Sequence, residues 1–354
     1  MSRFFSEKYK NLVPYTPGEQ PKDTQYIKLN TNESPFPPSE KAIIAAMEEA
    51  QKLQLYPDPE CRALTEKVAE LCDVEYENVL MTNGSDEILN FAFMAFCDEK
   101  HPAAFPDISY GFYSVFAELN NIPYEEIPLK DDFSIDINDY KGINKTIFIA
   151  NPNAPTGMTL SLKQIEEILI SNPDNVVVID EAYVDFGAES CLPLVKKYDN
   201  LLVCQTFSKS RSMAGARLGF GVGCKDIISD LNTVKYSTNP YNINRMTMAA
   251  GIGVLNDEAY TKANCLEIAN NREYTTKKLN EMGFITTNSK SNFIFAKHPR
   301  VDGKTIYEKL KAKGILVRHF SKPRISEYVR ITVGTGEQMT ALLFALKKVL
   351  EECE

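Results

Sequence analysis

Short polar sequences that directly follow runs of apolar residues hold the side chains with the clearest chemical potential. The segment "VVVIDEAY" ends in Asp180 and Tyr183, and "LLVCQTFSKSRSMAGARLG" contains Lys209 and Arg217. A carboxylate at the end of a buried strand is unfavourable unless a cation or strong donors meet it there. A lysine in such a position can react with a carbonyl group, and an arginine can hold a phosphate. The sequence therefore predicts a site that handles a cation, a carbonyl group and an anion together.

Two further polar endings supply N–H groups and an amide. In "NVLMTNGSDEIL" the chain passes through Gly84 into a helix that begins near Ser85. The free backbone N–H groups of such a helix end suit a phosphate, and the acidic Asp86 suits the helix dipole. The segment "KTIFIANPNAPTG" ends in a turn that contains Asn153. These endings add an anion subsite and an amide side chain to the predicted site.

One cofactor accounts for this inventory. Lys209 can form a Schiff base with a carbonyl cofactor, Asp180 can keep a pyridine nitrogen protonated, and the hydroxyls of Thr206 and Ser208 can surround a phosphate. Those are the requirements of pyridoxal 5'-phosphate. The cation that Asp180 meets would then be the pyridinium, which makes the ring an electron sink.

Six apolar runs alternate with amphipathic stretches between about residues 75 and 255, which is the pattern of βαβ units around a mainly parallel sheet. The candidate strands are "NVLMT", "HPAAF", "KTIFIA", "NVVVID", "NLLVCQT" and "LGFGVG". A serine suited to capping opens the helical pattern "SLKQIEEILIS". The carboxyl ends of parallel strands share one edge, where open α/β sheets bind ligands. The polar endings are therefore expected to meet.

The chain is predicted to contain three parts. Six prolines before position 40 predict an irregular arm at residues 1–35 that is part of the small domain or of a dimer contact. Residues 36–262 are predicted to form a large cofactor-binding α/β domain. The pattern then changes, and residues 263–354 are predicted to form a smaller α+β domain, completed by the arm.

Composition excludes several classes of protein. The 354 residues carry a net charge of -9, which argues against a nucleic-acid or anionic-membrane surface. The eight cysteines show no C-x-x-C spacing and the three histidines show no ligand spacing, so no metal site is predicted. The amino terminus lacks the apolar core of a secretory signal, and no apolar stretch approaches the length of a membrane span. Reduced thiols and a cytoplasmic location are the expectation.

Ten segments, in this order and spacing, resemble the fold-type I pyridoxal-phosphate aminotransferases and, among them, the histidinol-phosphate aminotransferases. The resemblance extends over essentially the whole chain and is carried by "NLVPYTPGEQP", "LNTNESPF", "YPDP", "NGSDEIL", "SYGFYSV", "NPNAPTG", "DEAYVDF", "TFSKSRSMAGARLGF", "ILVR" and "VRITVGT". It implies an aspartate aminotransferase-like fold, and it implies that Lys209 also moves the proton during amino transfer.

The resemblance assigns roles to several tyrosines. Tyr183 would donate a hydrogen bond to the phenolic oxygen of the cofactor, and Tyr110 would stack on its ring. Tyr56 of "YPDP" would reach the phosphate bound by a neighbouring subunit. A homodimer with shared active sites is thereby implied.

The same resemblance places four residues at the substrate. Arg330 in "VRITVGT" matches the family's carboxylate-binding arginine. Arg318 in "ILVRHF" and Tyr15 in "NLVPY" match positions around a substrate phosphate. Together with Asn32, they match the histidinol-phosphate subgroup.

One departure from the family pattern concerns the turn "NPNAPTG". The family commonly has Asn-Pro-Thr-Gly, with the asparagine bonded to the phenolic oxygen of the cofactor, whereas here Ala154 precedes Pro155. Either Asn153 substitutes through a shifted loop, which we favour, or the contact is lost and Tyr183 makes it alone.

The implied reaction is transamination between L-histidinol phosphate and 2-oxoglutarate, giving imidazole-acetol phosphate and glutamate, as in histidine biosynthesis. An aromatic amino-acid aminotransferase or a threonine-phosphate decarboxylase of the same fold is the alternative. A cofactor-sensing regulator would need an added DNA-binding segment, which is not expected before Tyr15. The glycines at 219, 221 and 223 do not fit G-x-G-x-x-G between a strand and a helix, which argues against a nicotinamide enzyme.

Overall fold

The computed structural model describes residues 2–21 and 25–353. Within these residues the strands are β1 (Ile27–Lys28), β2 (Val79–Thr82), β3 (Ala103–Pro106), β4 (Tyr124–Ile127), β5 (Thr146–Ala150), β6 (Val177–Asp180), β7 (Leu201–Thr206), β8 (Gly219–Gly223), β9 (Ile285–Thr286), β10 (Phe293–Lys297), β11 (Ile315–Leu316), β12 (Arg318–His319) and β13 (Tyr328–Thr332). The α-helices are α1 (Glu40–Ala50), α2 (Arg62–Cys72), α3 (Ser85–Phe96), α4 (Phe112–Asn120), α5 (Leu162–Ser171), α6 (Lys225–Thr238), α7 (Arg245–Leu255), α8 (Glu258–Glu281), α9 (Gly303–Ala312) and α10 (Gly336–Glu351).

The largest sheet in the described part of the chain has seven strands in the order β2-β8-β7-β6-β5-β3-β4. The six predicted strands all form and all belong to this sheet, which confirms the predicted α/β class. The serine predicted to cap the helix after β5 does so, because the Ser161 side chain accepts a hydrogen bond from the Gln164 N–H. Strand β4 was not predicted from the sequence. Its segment "YEEI" exposes three of four residues at the sheet edge, so it lacks the apolar run that marks a buried strand.

Strand β8 is the exception to the parallel arrangement. It pairs antiparallel with both β7 and β2, and Gly219 lies opposite Thr206 on one side and Thr82 on the other. An antiparallel strand begins at the edge where its parallel neighbours end. The residues just before β8 therefore reach the same edge as the residues just after β2 and β7.

Helices cover both faces of this sheet. On one face, α3, α4 and α6 contribute buried residues to a single apolar cluster with the strands, including Phe93, Phe116 and Leu231. On the other face, α1, α2, α5 and α7 contribute to a second cluster, including Leu64 and Ile165. Strands buried on both faces explain the continuous apolar runs that the sequence shows.

The C-terminal part builds a separate sheet and a separate apolar cluster. Four strands in the order β12-β13-β10-β9 pair antiparallel, and α8, α9 and α10 pack on them around residues such as Ile294, Leu310 and Leu346. Strand β1 pairs parallel with β11, so the N-terminal arm is hydrogen-bonded to this part. The predicted boundary between residues 262 and 263 falls inside α8, and the division into three parts stays a prediction.

No helix within residues 2–21 and 25–353 is long and apolar enough to cross a membrane.

Candidate active site

A cavity of about 260 Å³ opens at the edge where β2, β5, β6 and β7 end. Nine of the residues that were predicted to form the site line this cavity: Ser85, Asp86, Tyr110, Asp180, Tyr183, Thr206, Ser208, Lys209 and Arg217. The sheet register brings these segments together, because Asp180 lies beside Ala150 of β5 and Cys204 of β7. The polar residues at the strand ends therefore lie together around one cavity, as predicted.

The glycines of β8 allow α3 to approach the sheet closely. A Cβ atom on Gly219 would lie 2.5 Å from the Ser85 backbone nitrogen, and one on Gly221 would lie 2.0 Å from the Ile88 side chain. Contacts this short require the neighbouring atoms to move, and at Gly219 these are backbone atoms, so a side chain there would push the start of α3 away. The absence of side chains on this face of β8 therefore sets the position of the α3 N-terminus beside Thr206 and Arg217.

Asp180 is a buried carboxylate with neutral partners. Its side chain is only 5% exposed, and its oxygens accept hydrogen bonds from the Tyr113 hydroxyl at 3.1 Å and from the Ala182 N–H at 3.1 Å. Burial raises the pKa of the Asp180 carboxyl from its ordinary value of 3.8 to about 7, although these two donors oppose the rise. A positive charge placed in the cavity beside Asp180 would stabilise the ionised form.

Lys209 projects into the cavity from the segment after β7. Its Nζ lies 3.4 Å from the Thr31 carbonyl oxygen and 5.8 Å from the centre of the Tyr183 ring. The Tyr183 hydroxyl in turn accepts a hydrogen bond of 2.9 Å from the Asn32 side-chain amide. The ammonium group of Lys209, the candidate nucleophile, therefore lies over the ring of Tyr183, the candidate phenolic donor. The hydrogen bond from Asn32 fixes the orientation of that ring.

Arg217, Asp86 and Tyr110 form a hydrogen-bonded group on the cavity wall. The Arg217 guanidinium donates to one Asp86 oxygen at 2.9 Å, and the Tyr110 hydroxyl donates to the other at 2.6 Å. Burial raises the pKa of the Tyr110 hydroxyl well above its ordinary value, and the Asp86 charge adds to this effect. Gly84 precedes α3 in a left-handed conformation, and a Cβ there would lie 2.6 Å from the Arg217 guanidinium. Arg217 therefore packs over the start of α3.

Thr206 and Ser208 complete this wall. The Thr206 hydroxyl lies 2.9 Å from the Ser208 hydroxyl and accepts a hydrogen bond of 3.1 Å from the Ser208 backbone N–H. Together with Arg217 and the N-terminus of α3, these hydroxyls form a concentrated set of donors. Such a set suits the oxygens of a phosphate.

Asn153 does not line the cavity. Its amide donates to the Ile108 carbonyl at 2.9 Å and to the Thr156 hydroxyl at 3.0 Å, and its oxygen accepts from the Ser109 hydroxyl at 2.7 Å. Ala154 lines the cavity instead. Both amide hydrogens of Asn153 are thus donated to protein acceptors, one on a neighbouring loop and one in its own turn, so the structure shows no contact in favour of the shifted-loop alternative. The choice between this alternative and a phenolic contact by Tyr183 alone stays a prediction.

Arg330 and Arg318 lie beyond the cavity lining. Arg330 donates to the Asn30 carbonyl at 3.2 Å and packs against the rings of Phe293 and Phe320, while its buried Nε has no hydrogen-bond partner within the described residues. Burial lowers the pKa of the Arg330 guanidinium. A buried cationic donor without an acceptor is costly, and an anionic ligand would satisfy it.

Tyr15 and Tyr56 occupy more open positions. Tyr15 stacks on Phe112, with 4.2 Å between the ring centres. Tyr56 is 78% exposed and stacks on Tyr241 with 4.7 Å between the ring centres. Tyr56 is thus not among the residues that surround the cavity within one chain.

Three polar residues at the site were not predicted from the sequence. Tyr113 lies completely buried behind Asp180, and Thr31 and Glu33 line the cavity from the segment after β1. The Glu33 carboxylate pairs with the Lys28 ammonium at 2.7 Å. A signal was available for Tyr113, because it lies close to Tyr110 in the segment "SYGFYSV", and the two rings meet edge to face with 5.7 Å between their centres.

Comparison with known proteins identifies the family. A family model described as aminotransferase class I and II matches residues 24–346. The chain belongs to the class I and II aminotransferases. The histidinol-phosphate aminotransferase of Brachyspira hyodysenteriae is 52% identical to this aminotransferase over 355 residues, which cover 99% of this chain and 100% of the relative. The enzyme of that name from Clostridium beijerinckii is 46% identical over 352 residues, covering 99% and 98% of the two chains.

Solved structures agree on the fold of this aminotransferase. The crystal structure of histidinol-phosphate aminotransferase from Sinorhizobium meliloti, in complex with pyridoxal-5'-phosphate, superposes with a TM-score of 0.90 at 22% identity and covers 100% of this chain and 99% of that one. L-threonine-O-3-phosphate decarboxylase from Porphyromonas gingivalis superposes with a TM-score of 0.79, also at 22% identity, covering 92% and 99%. At this identity the likeness concerns the fold alone, which two different activities share.

Proposed function

We propose that this aminotransferase uses pyridoxal 5'-phosphate to exchange an amino group between L-histidinol phosphate and 2-oxoglutarate, giving imidazole-acetol phosphate and glutamate. The observation that carries the proposal is the full-length likeness, at 46% and 52% identity, to relatives named histidinol-phosphate aminotransferases. The reaction would serve histidine biosynthesis.

The residues of the cavity fit this cofactor. The donors that reach Asp180 from the described residues are neutral, so a protonated pyridine nitrogen would be the cation that its burial calls for. Arg217, Thr206, Ser208 and the N-terminus of α3 would hold the phosphate oxygens. Tyr110, whose ring lines the cavity, would cover one face of the pyridine ring.

When bound, the cofactor supplies a carbonyl group that takes up the amino group and a ring that accepts the electrons of the adjacent carbon. Lys209 would bind that carbonyl through Nζ in the resting enzyme. During the reaction its Nζ would carry a proton between the substrate carbon that bears the amino group and the former carbonyl carbon of the cofactor. Asp180 would keep the ring nitrogen protonated. Tyr183, oriented by the Asn32 amide, would hold the phenolic oxygen.

Arg330, Arg318 and Tyr15 would bind the anionic ends of the substrates. The unpartnered Nε of Arg330 supports a carboxylate or phosphate at this position. L-histidinol phosphate has no carboxylate, so its phosphate would take the position that a carboxylate of glutamate occupies in the other half of the reaction. Arg318 and Arg330 lie opposite one another on β12 and β13, and two neighbouring arginines suit both anions.

An absorbance titration of the cofactor-loaded protein tests the proposal. L-histidinol phosphate at micromolar concentration should bleach the band of the bound cofactor, whereas L-phenylalanine should do so only weakly. An equal response to both amines would favour a broad aromatic aminotransferase. Release of carbon dioxide from O-phospho-L-threonine would favour the decarboxylase, and no band after addition of pyridoxal phosphate would refute the cofactor.

The proposal includes a homodimer with shared active sites and a cytoplasmic location. Tyr56 and the nearby apolar side chains of Ile43, Ile44, Met47 and Leu55 are exposed in the single chain, which supports a partner on this side. In the dimer, Tyr56 would reach the cofactor phosphate of the other subunit. Light scattering and cell fractionation test these two parts.

A further inference from the structure

Residues 15–19, here called the strap, run from α9 of the C-terminal part to the start of α4 and pass Thr31 of the cavity lining. At one end, the Glu19 carboxylate accepts hydrogen bonds from the Lys311 ammonium and the Tyr307 hydroxyl, both on α9. At the other end, Tyr15 stacks on Phe112 at the start of α4. The strap is therefore fixed to one part of the molecule and lies against the other.

The strap holds both arginines of the predicted anion subsite. Arg318 donates to the Pro17 and Thr16 carbonyls, each at 3.3 Å. The Asn30 amide donates to the Glu19 carbonyl at 2.9 Å, while the Asn30 carbonyl accepts from Arg330 at 3.2 Å. Arg318 is thus bound to the strap directly, and Arg330 is bound to it through one intervening residue.

The strap also packs tightly where it passes the cavity. A Cβ atom on Gly18 would lie 2.6 Å from the Thr31 side chain, and Thr31 lines the cavity and contacts Lys209 through its carbonyl. The strap therefore packs directly against a residue of the cavity lining. A guanidinium has five N–H donors, so Arg318 keeps donors for a ligand after binding two strap carbonyls.

We infer that Glu19 is a positioning residue for the phosphate-bearing end of the substrate. It acts by fixing the strap to α9, and the strap carbonyls then fix the rotamers of Arg318 and Arg330 before the substrate arrives. An arginine that is already ordered loses less side-chain entropy when the substrate binds, so binding is more favourable. This inference rests on the proposed function for the identity of the substrate, but the anion subsite itself can be tested without it.

Glu19→Gln is the variant that tests the inference, and Glu352→Gln is its matched control. Glu352 lies at the C-terminal end of α10 and accepts hydrogen bonds from Lys309 of α9 and from Lys313, which follows α9. Both of these partners lie outside the strap. In Glu19→Gln, the KM for L-histidinol phosphate should rise about fivefold, as expected for loss of one partly exposed ion pair, with kcat unchanged. The KM for L-histidinol, which lacks the phosphate, should not change. Glu352→Gln should leave both values unaltered, and Glu19→Lys combined with Lys311→Glu should restore the KM.

Calorimetric titration of the cofactor-loaded protein with inorganic phosphate gives a second readout that does not depend on the substrate. The dissociation constant should rise about fivefold in Glu19→Gln and stay at the wild-type value in Glu352→Gln. Equal constants in the wild type and Glu19→Gln, or no binding to the wild type, would overturn the inference. Failure of the wild type to convert L-histidinol phosphate would refute the proposed function alone, because the titration would still decide the role of Glu19.

Discussion

Replacing Asp180 by asparagine should stabilise the cofactor-free protein at alkaline pH while it impairs the loaded enzyme. The reason is that the Asp180 carboxyl is buried without a cation beside it, and this burial raises its pKa from 3.8 to about 7. Between these two values the unfolded chain carries an ionised Asp180 and the native chain a protonated one. The free energy of unfolding therefore falls as the pH rises through this window, and the loss is complete above pH 7.

The magnitude follows from the width of the window. About three pH units at 1.36 kcal/mol per unit give a loss of about 4 kcal/mol for the wild type. Between pH 5 and pH 8, about 3 kcal/mol of this loss should be visible. Asparagine has nearly the same shape and does not ionise, so Asp180→Asn should lack this component.

Urea unfolding of both cofactor-free proteins at pH 5 and pH 8, at one protein concentration, measures the effect. The stability gap should widen in favour of Asp180→Asn at pH 8, because all other titrating groups are common to both chains. Pyridoxal phosphate should remove the pH-dependent loss from the wild type, since a cation beside Asp180 lowers the pKa of its carboxyl. In Tyr113→Phe, which loses a donor to Asp180, the loss should extend to higher pH. Stability curves that stay parallel in the wild type and Asp180→Asn would refute the reasoning.

Three further predictions concern the same site. Lys209→Ala should abolish turnover while circular dichroism shows a folded protein, with Lys262→Ala as a control on an exposed lysine; turnover near the wild-type rate in Lys209→Ala would exclude the mechanism. Gly219→Ala should weaken pyridoxal phosphate binding about tenfold by displacing the start of α3, whereas Gly215→Ala, where a Cβ meets nothing within 4 Å, should bind normally in the same fluorescence titration. Mixed and refolded Tyr56→Ala and Lys209→Ala chains should give more activity than the two variants measured separately, because one site of the hybrid would be intact; activity equal to the sum would argue against shared sites.

Much of the site could be predicted because its chemistry lies at strand ends. Asp180, Thr206 and Lys209 each follow an apolar run long enough to identify a buried strand, and the ends of parallel strands meet by geometry alone. Arg217 meets them for a different reason, the reversed direction of β8, which the apolar pattern of "LGFGVG" does not reveal. The position of Arg217 beside the other strand ends was predicted correctly, although the prediction assumed a parallel strand and β8 is antiparallel.

The parts that could not be predicted depend on contacts between distant segments. Asn153 has the right residue type for a ligand contact, but its hydrogen bonds to Ile108 and Ser109 depend on a loop from a different strand. Thr31 and Glu33 follow a strand of only two residues, too short to leave a periodic pattern. Local sequence therefore identifies the chemistry of the strand ends and not the path of the loops around them.

The pairing of β1 with β11 has a consequence for the order in which the molecule is completed during synthesis. Strand β1 is made among the first residues, but its partner at Ile315–Leu316 emerges only when most of the chain has been translated. Contacts between such distant segments form late. Thr31 and Asn32 follow shortly after β1, and the Asn32 backbone N–H donates to the Thr332 hydroxyl of β13. We therefore expect the contacts of Thr31 with Lys209 and of Asn32 with Tyr183 to form only after the C-terminal part of the chain has been made.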